Sequence, residues 1–118
     1  MGEVLANLGR FNDTLLPVLR GALPGEQVHS WSLDGTGSPG IDVFVTLSDD
    51  APMPVEALLP SVRWIHSLGA GVDGVPLDAV GDRVVTCSRG ASSPAIAEFV
   101  LATMLAFEKR LPESWVSA

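Results

Sequence analysis

Apolar positions fall along this chain in short runs separated by polar or Gly/Pro-rich breaks, which is the pattern of strands alternating with short helices. Glu3 to Leu8 is a mostly apolar run and predicts a first strand. Asn12 or Asp13 is placed to cap a helix running to about Arg20, with Leu15, Leu16 and Leu19 on one face and Pro17 read as lying in its first turn. Pro24-Gly25 breaks the chain, and Val28 to Leu33 alternates loosely as a second strand. Asp34 to Gly40 is turn chemistry throughout, standing where an alternating fold would place a helix. Ile41 to Leu47, with Val43, Phe44 and Val45 contiguous, predicts a central parallel strand covered on both faces. Pro54 to Leu59 predicts one or two helical turns.

The second half repeats the alternation. Val62 to Leu68 predicts a strand that runs straight into Gly69-Ala-Gly-Val-Asp73. Val75 to Val80 is at most a short helical piece, and Arg83 to Ser88 predicts another strand. Ser93 followed by Pro94 matches a cap and a first-turn proline opening a long helix to about Leu111. The whole reads as an α/β fold with a flavodoxin-like parallel sheet, followed by a long terminal helix.

That helix differs from the rest in its polarity. Ile96, Phe99, Val100, Met104, Phe107 and Leu111 line one stripe, Leu101 and Leu105 lie beside it, and only Glu98 and Thr103 interrupt the apolar surface before Phe107. A helix on the outside of a small domain needs one apolar stripe. This one is apolar around most of its circumference, yet too short for a membrane span of roughly 20 residues. It is therefore expected to be covered on two sides, by its own chain and by a further domain or a second subunit. Burial within one large core is the alternative.

Composition narrows the function classes. In 118 residues, 47% are apolar, enough for a core, and seven basic residues face fourteen acidic ones, a net charge of −7. That balance argues against a nucleic-acid face and against adsorption to anionic membranes. One cysteine, Cys87, and two distant histidines, His29 and His66, build neither a disulfide nor a cysteine-rich metal site, and a reducing, cytoplasmic setting is expected. The start, Met1-Gly-Glu-Val-Leu5, lacks the basic stretch and long apolar run of a secretory leader.

Two loops lie at strand carboxyl ends, where open α/β sheets bind ligands. In Ser67 to Asp73, Gly69 and Gly71 let the backbone turn sharply, and successive bare N–H groups form a nest suited to a carboxylate. The plainer reading is a strand-to-helix turn in which Asp73 satisfies the nearby amides. It is not a dinucleotide fingerprint, because Pro76 leaves no helix to receive a pyrophosphate. The second loop, Cys87 to Pro94, has the layout of a thiolate loop at a helix start, but the position six residues after the cysteine is Ser93, not arginine. Cys87 is read first as a small buried residue. His66 invites a general-base role but is read first as a satisfied strand residue; His29 is read as plain surface, and the three tryptophans as packing residues.

Three blocks carry a resemblance: Val62 to Leu77, Arg83 to Gly90, and Ala95 to Phe107. In order and spacing they resemble the amino-terminal part of a D-isomer-specific 2-hydroxyacid dehydrogenase, over roughly residues 41 to 115. The resemblance implies a flavodoxin-like substrate domain at residues 1–88, then the hinge and first helix of a truncated NAD(P)-binding domain at residues 89–118. It implies that the amides of Ala70 and Gly71 hold a substrate carboxylate, with Gly69 and Val72 beside them. Ser92 stands where many members have an asparagine near the substrate. The helix Pro94 to Leu111 would form a homodimer core. The family's dinucleotide motif and its catalytic Arg, Glu and His would follow Ala118, so the chain alone is expected to be inactive and to bind no NAD or NADP. Two alternatives stand beside this reading: a non-catalytic dimerising module of the same fold, and a small thiol enzyme using Cys87.

Overall fold

The computed structural model describes residues 2–31, 40–47 and 61–113. The strands are β1 (Glu3–Asn7), β2 (Gln27–Ser30), β3 (Ile41–Thr46), β4 (Trp64–Ser67) and β5 (Val84–Cys87), and the helices are α1 (Asn12–Ala22) and α2 (Ser93–Glu108). The strands form one parallel sheet in the order β2-β1-β3-β4-β5, the flavodoxin-like arrangement expected from the alternation. The chain divides into two compact units, Met1–Ser88 and Arg89–Ala118. No described helix is long and apolar enough to cross a membrane.

Each face of the sheet has its own core. On the first, Val4, Ala6, Leu8, Val28 and Val45 meet Leu16 of α1, with Leu19 and Leu23 packed alongside. On the second, Leu5, Ile41, Phe44 and Ile65 meet Val75 and Val80 from the segment joining β4 to β5. Ile41 and Phe44 are three residues apart, which in a regular strand would point them to opposite faces. The register slips between Glu3 and Val4, which pair with Ile41 and Val43, so Asp42 is an extra residue. This bulge lets both apolar side chains enter the same core.

Several sequence expectations shift. Pro17 is not in the first turn of α1 but in its second, and a 3₁₀ turn over Gly9–Phe11 leads into the helix. Neither Asn12 nor Asp13 caps it: Phe11 holds the cap position, and the Asn12 Oδ1 accepts a hydrogen bond from the Ser30 hydroxyl at 2.9 Å. The turn after α1 uses Gly25 at φ +97°, a conformation that L side chains rarely adopt. The strands at β4 and β5 are shorter than their apolar runs, and the helical piece between them is a 3₁₀ turn, Leu77–Ala79. The predicted turn over Asp34 to Pro39, the helical turns over Pro54 to Leu59 and Trp115 lie outside the described residues.

Helix α2 starts at Ser93 with Ser92 at the cap position, and among the described residues of its own unit it buries none of its side chains. Phe107 is 87% exposed, and Phe99 and Met104 are also open. Trp64, assigned to packing from the sequence, is 43% exposed on the first face of the sheet.

Candidate functional site

Strand β4 ends at Ser67 and delivers the chain into Leu68 to Asp73 at the carboxyl edge of the sheet. The loop is fastened from three sides. The Leu68 amide donates to the Thr46 carbonyl at 2.8 Å, and the Ser88 amide donates to the carbonyls of Ser67 at 3.1 Å and Gly69 at 3.0 Å. The Cys87 thiol donates to the Ala70 carbonyl at 3.5 Å. Beyond the turn, the Val75 amide donates to the Val72 carbonyl at 2.8 Å, while the side chains of Val72 and Val75 sit in the second core. The carbonyls of Gly69, Ala70 and Val72 are thus taken by the protein. The amides of Ala70, Gly71 and Val72 donate to no group among the described residues. Carbonyls tied back and amides left open are what an anion-holding nest requires.

Two details revise the sequence reading. Neither Gly69 nor Gly71 has a positive φ, so the loop does not use them for left-handed backbone. At Gly71 the requirement is room: a Cβ there would stand 2.7 Å from the Asp73 Oδ2. The Asp73 carboxylate therefore leans over Gly71 but accepts no hydrogen bond from the loop amides, contrary to the plainer reading of this turn. It places a like charge beside the proposed carboxylate seat. Ser92, the remaining candidate, is exposed and belongs to the second unit, where its carbonyl accepts from the Ile96 amide at 3.0 Å.

The other candidates resolve into structural parts. The Trp64 Nε1 donates to the Thr86 Oγ1 at 2.8 Å, and the same oxygen lies 2.8 Å from the His66 Nδ1. The His66 Nε2 faces the Ser88 Oγ at 3.3 Å, so both ring nitrogens of His66 are engaged by hydroxyls of β5 and the residue after it. Cys87 is half-buried and tied to Ala70, not the small buried residue expected. His29 is not plain surface: it lies 3.7 Å from the Glu3 carboxylate. Among the described residues no cluster of His, Cys, Asp and Glu could hold a metal.

A polar row escaped the sequence reading. Asn7, Thr46, Ser67 and Cys87 pair in register across the carboxyl ends of β1, β3, β4 and β5. The first three are 5%, 1% and 0% exposed, and the Asn7 Nδ2, Thr46 Oγ1 and Ser67 Oγ have no hydrogen-bond partner among the described residues. The row crosses the point between β1 and β3 where strand order reverses. Its only sequence signal is that each strand core closes on a small polar residue. Thr46→Val is expected to raise unfolding stability by about 1–2 kcal/mol, because it replaces an unsatisfied buried hydroxyl with a methyl of similar shape. Urea titration checks this, and a loss of stability would show that the hydroxyl is satisfied.

No family model and no curated protein matches the sequence. Among solved structures, the chain is similar to the apo-structure of D-lactate dehydrogenase from Escherichia coli, with a TM-score of 0.63 and 18% identity. The match covers 95% of this chain but 39% of that one. At this identity the likeness shows the fold, and the chain spans well under half the length of the dehydrogenase it matches.

Proposed function

We propose that this chain is the substrate-binding portion of an NAD(P)-dependent oxidoreductase that interconverts a 2-oxo acid and a D-2-hydroxy acid. The observation that carries the reading is the loop after β4, with the open amides of Ala70, Gly71 and Val72 at the carboxyl edge of a sheet of the D-lactate dehydrogenase type. A carboxylate accepts several such hydrogen bonds at once, which fixes its orientation as well as its position. Gly69 is proposed to line the seat, and Val72 pins the loop to the core. Ser92 is proposed to reach the substrate from the start of α2.

The cofactor does not fit this chain by itself. The Gly69 to Gly74 loop is followed by Pro76 and a three-residue 3₁₀ turn, so it offers no helix start to a pyrophosphate. No step of hydride transfer is assigned to the described residues, and His66 and Glu98 have no part in one. On this reading residues 89–118 are the hinge and first helix of the NAD(P)-binding domain, in a cytoplasmic parent enzyme. A second reading, a non-catalytic dimerising module of the same fold, is favoured by the exposed apolar surface of α2. Both readings make the helix Pro94 to Leu111 the seat of a homodimer.

The test is an amide-resolved NMR titration of the chain with glyoxylate or hydroxypyruvate. The expected result is saturable shifts of the Ala70, Gly71 and Val72 amides, with no NADH oxidation when the cofactor is added. Asp73→Asn removes the like charge beside the seat and is expected to tighten binding by about tenfold at low salt, less as salt screens it. Shifts confined to other residues would overturn the carboxylate seat. NADH turnover would overturn the claim that the chain lacks catalytic machinery.

A further inference from the structure

The three open amides of the loop after β4 are not equal, because the carbonyls behind them differ. Each amide shares a peptide group with the carbonyl of the residue before it. The Ala70 amide is joined to the Gly69 carbonyl, which accepts from the Ser88 amide at 3.0 Å. The Gly71 amide is joined to the Ala70 carbonyl, which accepts from the Cys87 thiol at 3.5 Å. The Val72 amide is joined to the Gly71 carbonyl, which accepts no hydrogen bond among the described residues. Two of the three peptides are therefore held from behind, and both are held by consecutive residues at the end of β5.

This hold sets direction and strength. In a trans peptide the C=O and N–H point opposite ways, and every peptide from Ser67 to Asp73 is trans. Fixing the Gly69 and Ala70 carbonyls on Ser88 and Cys87 directs both N–H groups away from the end of β5, side by side. A carbonyl that accepts a hydrogen bond also polarises its peptide and makes the attached N–H a better donor, by about 10–30% per bond. The strand register supplies the thiol. Cys87 pairs with Ser67, the last residue of β4, and stands two residues after Val85, on the face where Val72 joins the second core. Among the described residues its thiol makes the one side-chain hydrogen bond to the backbone of residues 68–73.

We propose that Cys87 and Ser88 are positioning residues for the carboxylate seat, turning the Ala70 and Gly71 amides out together and strengthening both, while Val72 contributes least. This rests on the carboxylate seat proposed above and ranks its three donors. Neither residue touches the ligand: the Cys87 proton acts through the Ala70–Gly71 peptide, and the Ser88 amide through the Gly69–Ala70 peptide.

Glycolate is the probe, because a 2-hydroxy acid of this kind carries no carbonyl that could add to the thiol. In amide-resolved NMR of the whole chain, the Ala70 and Gly71 amides are expected to shift at least about twofold more than Val72 at saturation. Cys87→Ala removes the donor and is expected to raise the dissociation constant at least about threefold. In the free chain it should also move the Gly71 nitrogen resonance more than that of Val72. Cys87→Ser restores a proton donor and is expected to return the constant to within about twofold of the unaltered chain. The readout that a merely structural role would leave alone is the infrared S–H stretch. Glycolate on the Gly71 N–H should in turn strengthen the bond into the Ala70 carbonyl and move that band to lower frequency, since coupling between sites is reciprocal. That measurement needs no variant, so it stands even where Cys87→Ala does not fold. No shift at any of the three amides in the unaltered chain overturns the carboxylate seat and this proposal with it. Saturable shifts there with an unmoved S–H band, or with Cys87→Ala binding as tightly as the unaltered chain, overturn the positioning role alone. Equal losses in Cys87→Ala and Cys87→Ser overturn it as well, by assigning the effect to the size of the sulfur.

Discussion

Phe44→Ala is expected to lower the free energy of unfolding by about 3–5 kcal/mol, a large part of the about 5–15 kcal/mol that holds a domain folded. Phe44 stands on the central strand β3 and is 2% exposed. Its ring shares a core with Leu5, Ile41 and Ile65, and meets Trp31 edge-on, with centroids 6.3 Å apart and planes at 84°. Truncation removes the transfer free energy of the ring, leaves a cavity between packed strands, and strips Trp31 of its aromatic partner. Urea unfolding followed by tryptophan fluorescence should show the midpoint falling by more than about 1 M at an m value of about 1–3 kcal/mol/M. Phe44→Leu keeps most of the volume and should lose only about 1–1.5 kcal/mol. Equal losses in the two variants would mean that the cavity term is absent.

The second large effect is expected at Arg83. Its Nε donates to the Val62 carbonyl and its Nη1 to the Val80 carbonyl, both at 2.9 Å. Val62 leads into β4 and Val80 closes the segment that returns from it, so one guanidinium ties the entry and exit of the loop-bearing strand. Arg83→Ala leaves the Val62 carbonyl without its donor and the Val80 carbonyl with only the 3.4 Å bond from the backbone amide of residue 83, and is expected to cost about 2–3 kcal/mol, since hydrogen bonds from a charged group are worth more than neutral ones. Arg83→Lys keeps the charge but not the planar fork, and should recover no more than about half of the loss. Thermal melts at matched concentration check both variants. Full recovery with lysine would assign the effect to charge alone.

How much of this was legible in the sequence depended on what each residue type is forced to do. Val43, Phe44 and Val45 form an apolar run too short for a helix and too continuous for a half-exposed strand, so a central strand was the only economical reading. The alternation of such runs with Leu15, Leu16 and Leu19 gave the parallel sheet. The bulge at Asp42 was not legible, because a register slip depends on the partner strand and leaves no mark of its own. The loop after β4 was found through its glycines, although the structure uses Gly71 for space beside Asp73 and not for an unusual φ. The row Asn7, Thr46, Ser67 and Cys87 was invisible because its members are neighbours only through pairing: they lie far apart in sequence and meet across strands. His66 was ambiguous until its two ring nitrogens had partners, since one residue name is compatible with a base, a metal ligand or a strand filler.

The thiol beneath Ala70 has a practical consequence. Cys87 is the sole cysteine in the chain, and its sulfur touches the backbone of the segment proposed to capture the ligand. A trifluoromethyl tag placed on that sulfur would give a single fluorine resonance, with no background to subtract and no mutagenesis needed to install it. Occupancy of the neighbouring amides would then be readable in crude mixtures, one compound after another, so that screening a library of small acids becomes a matter of watching one line move.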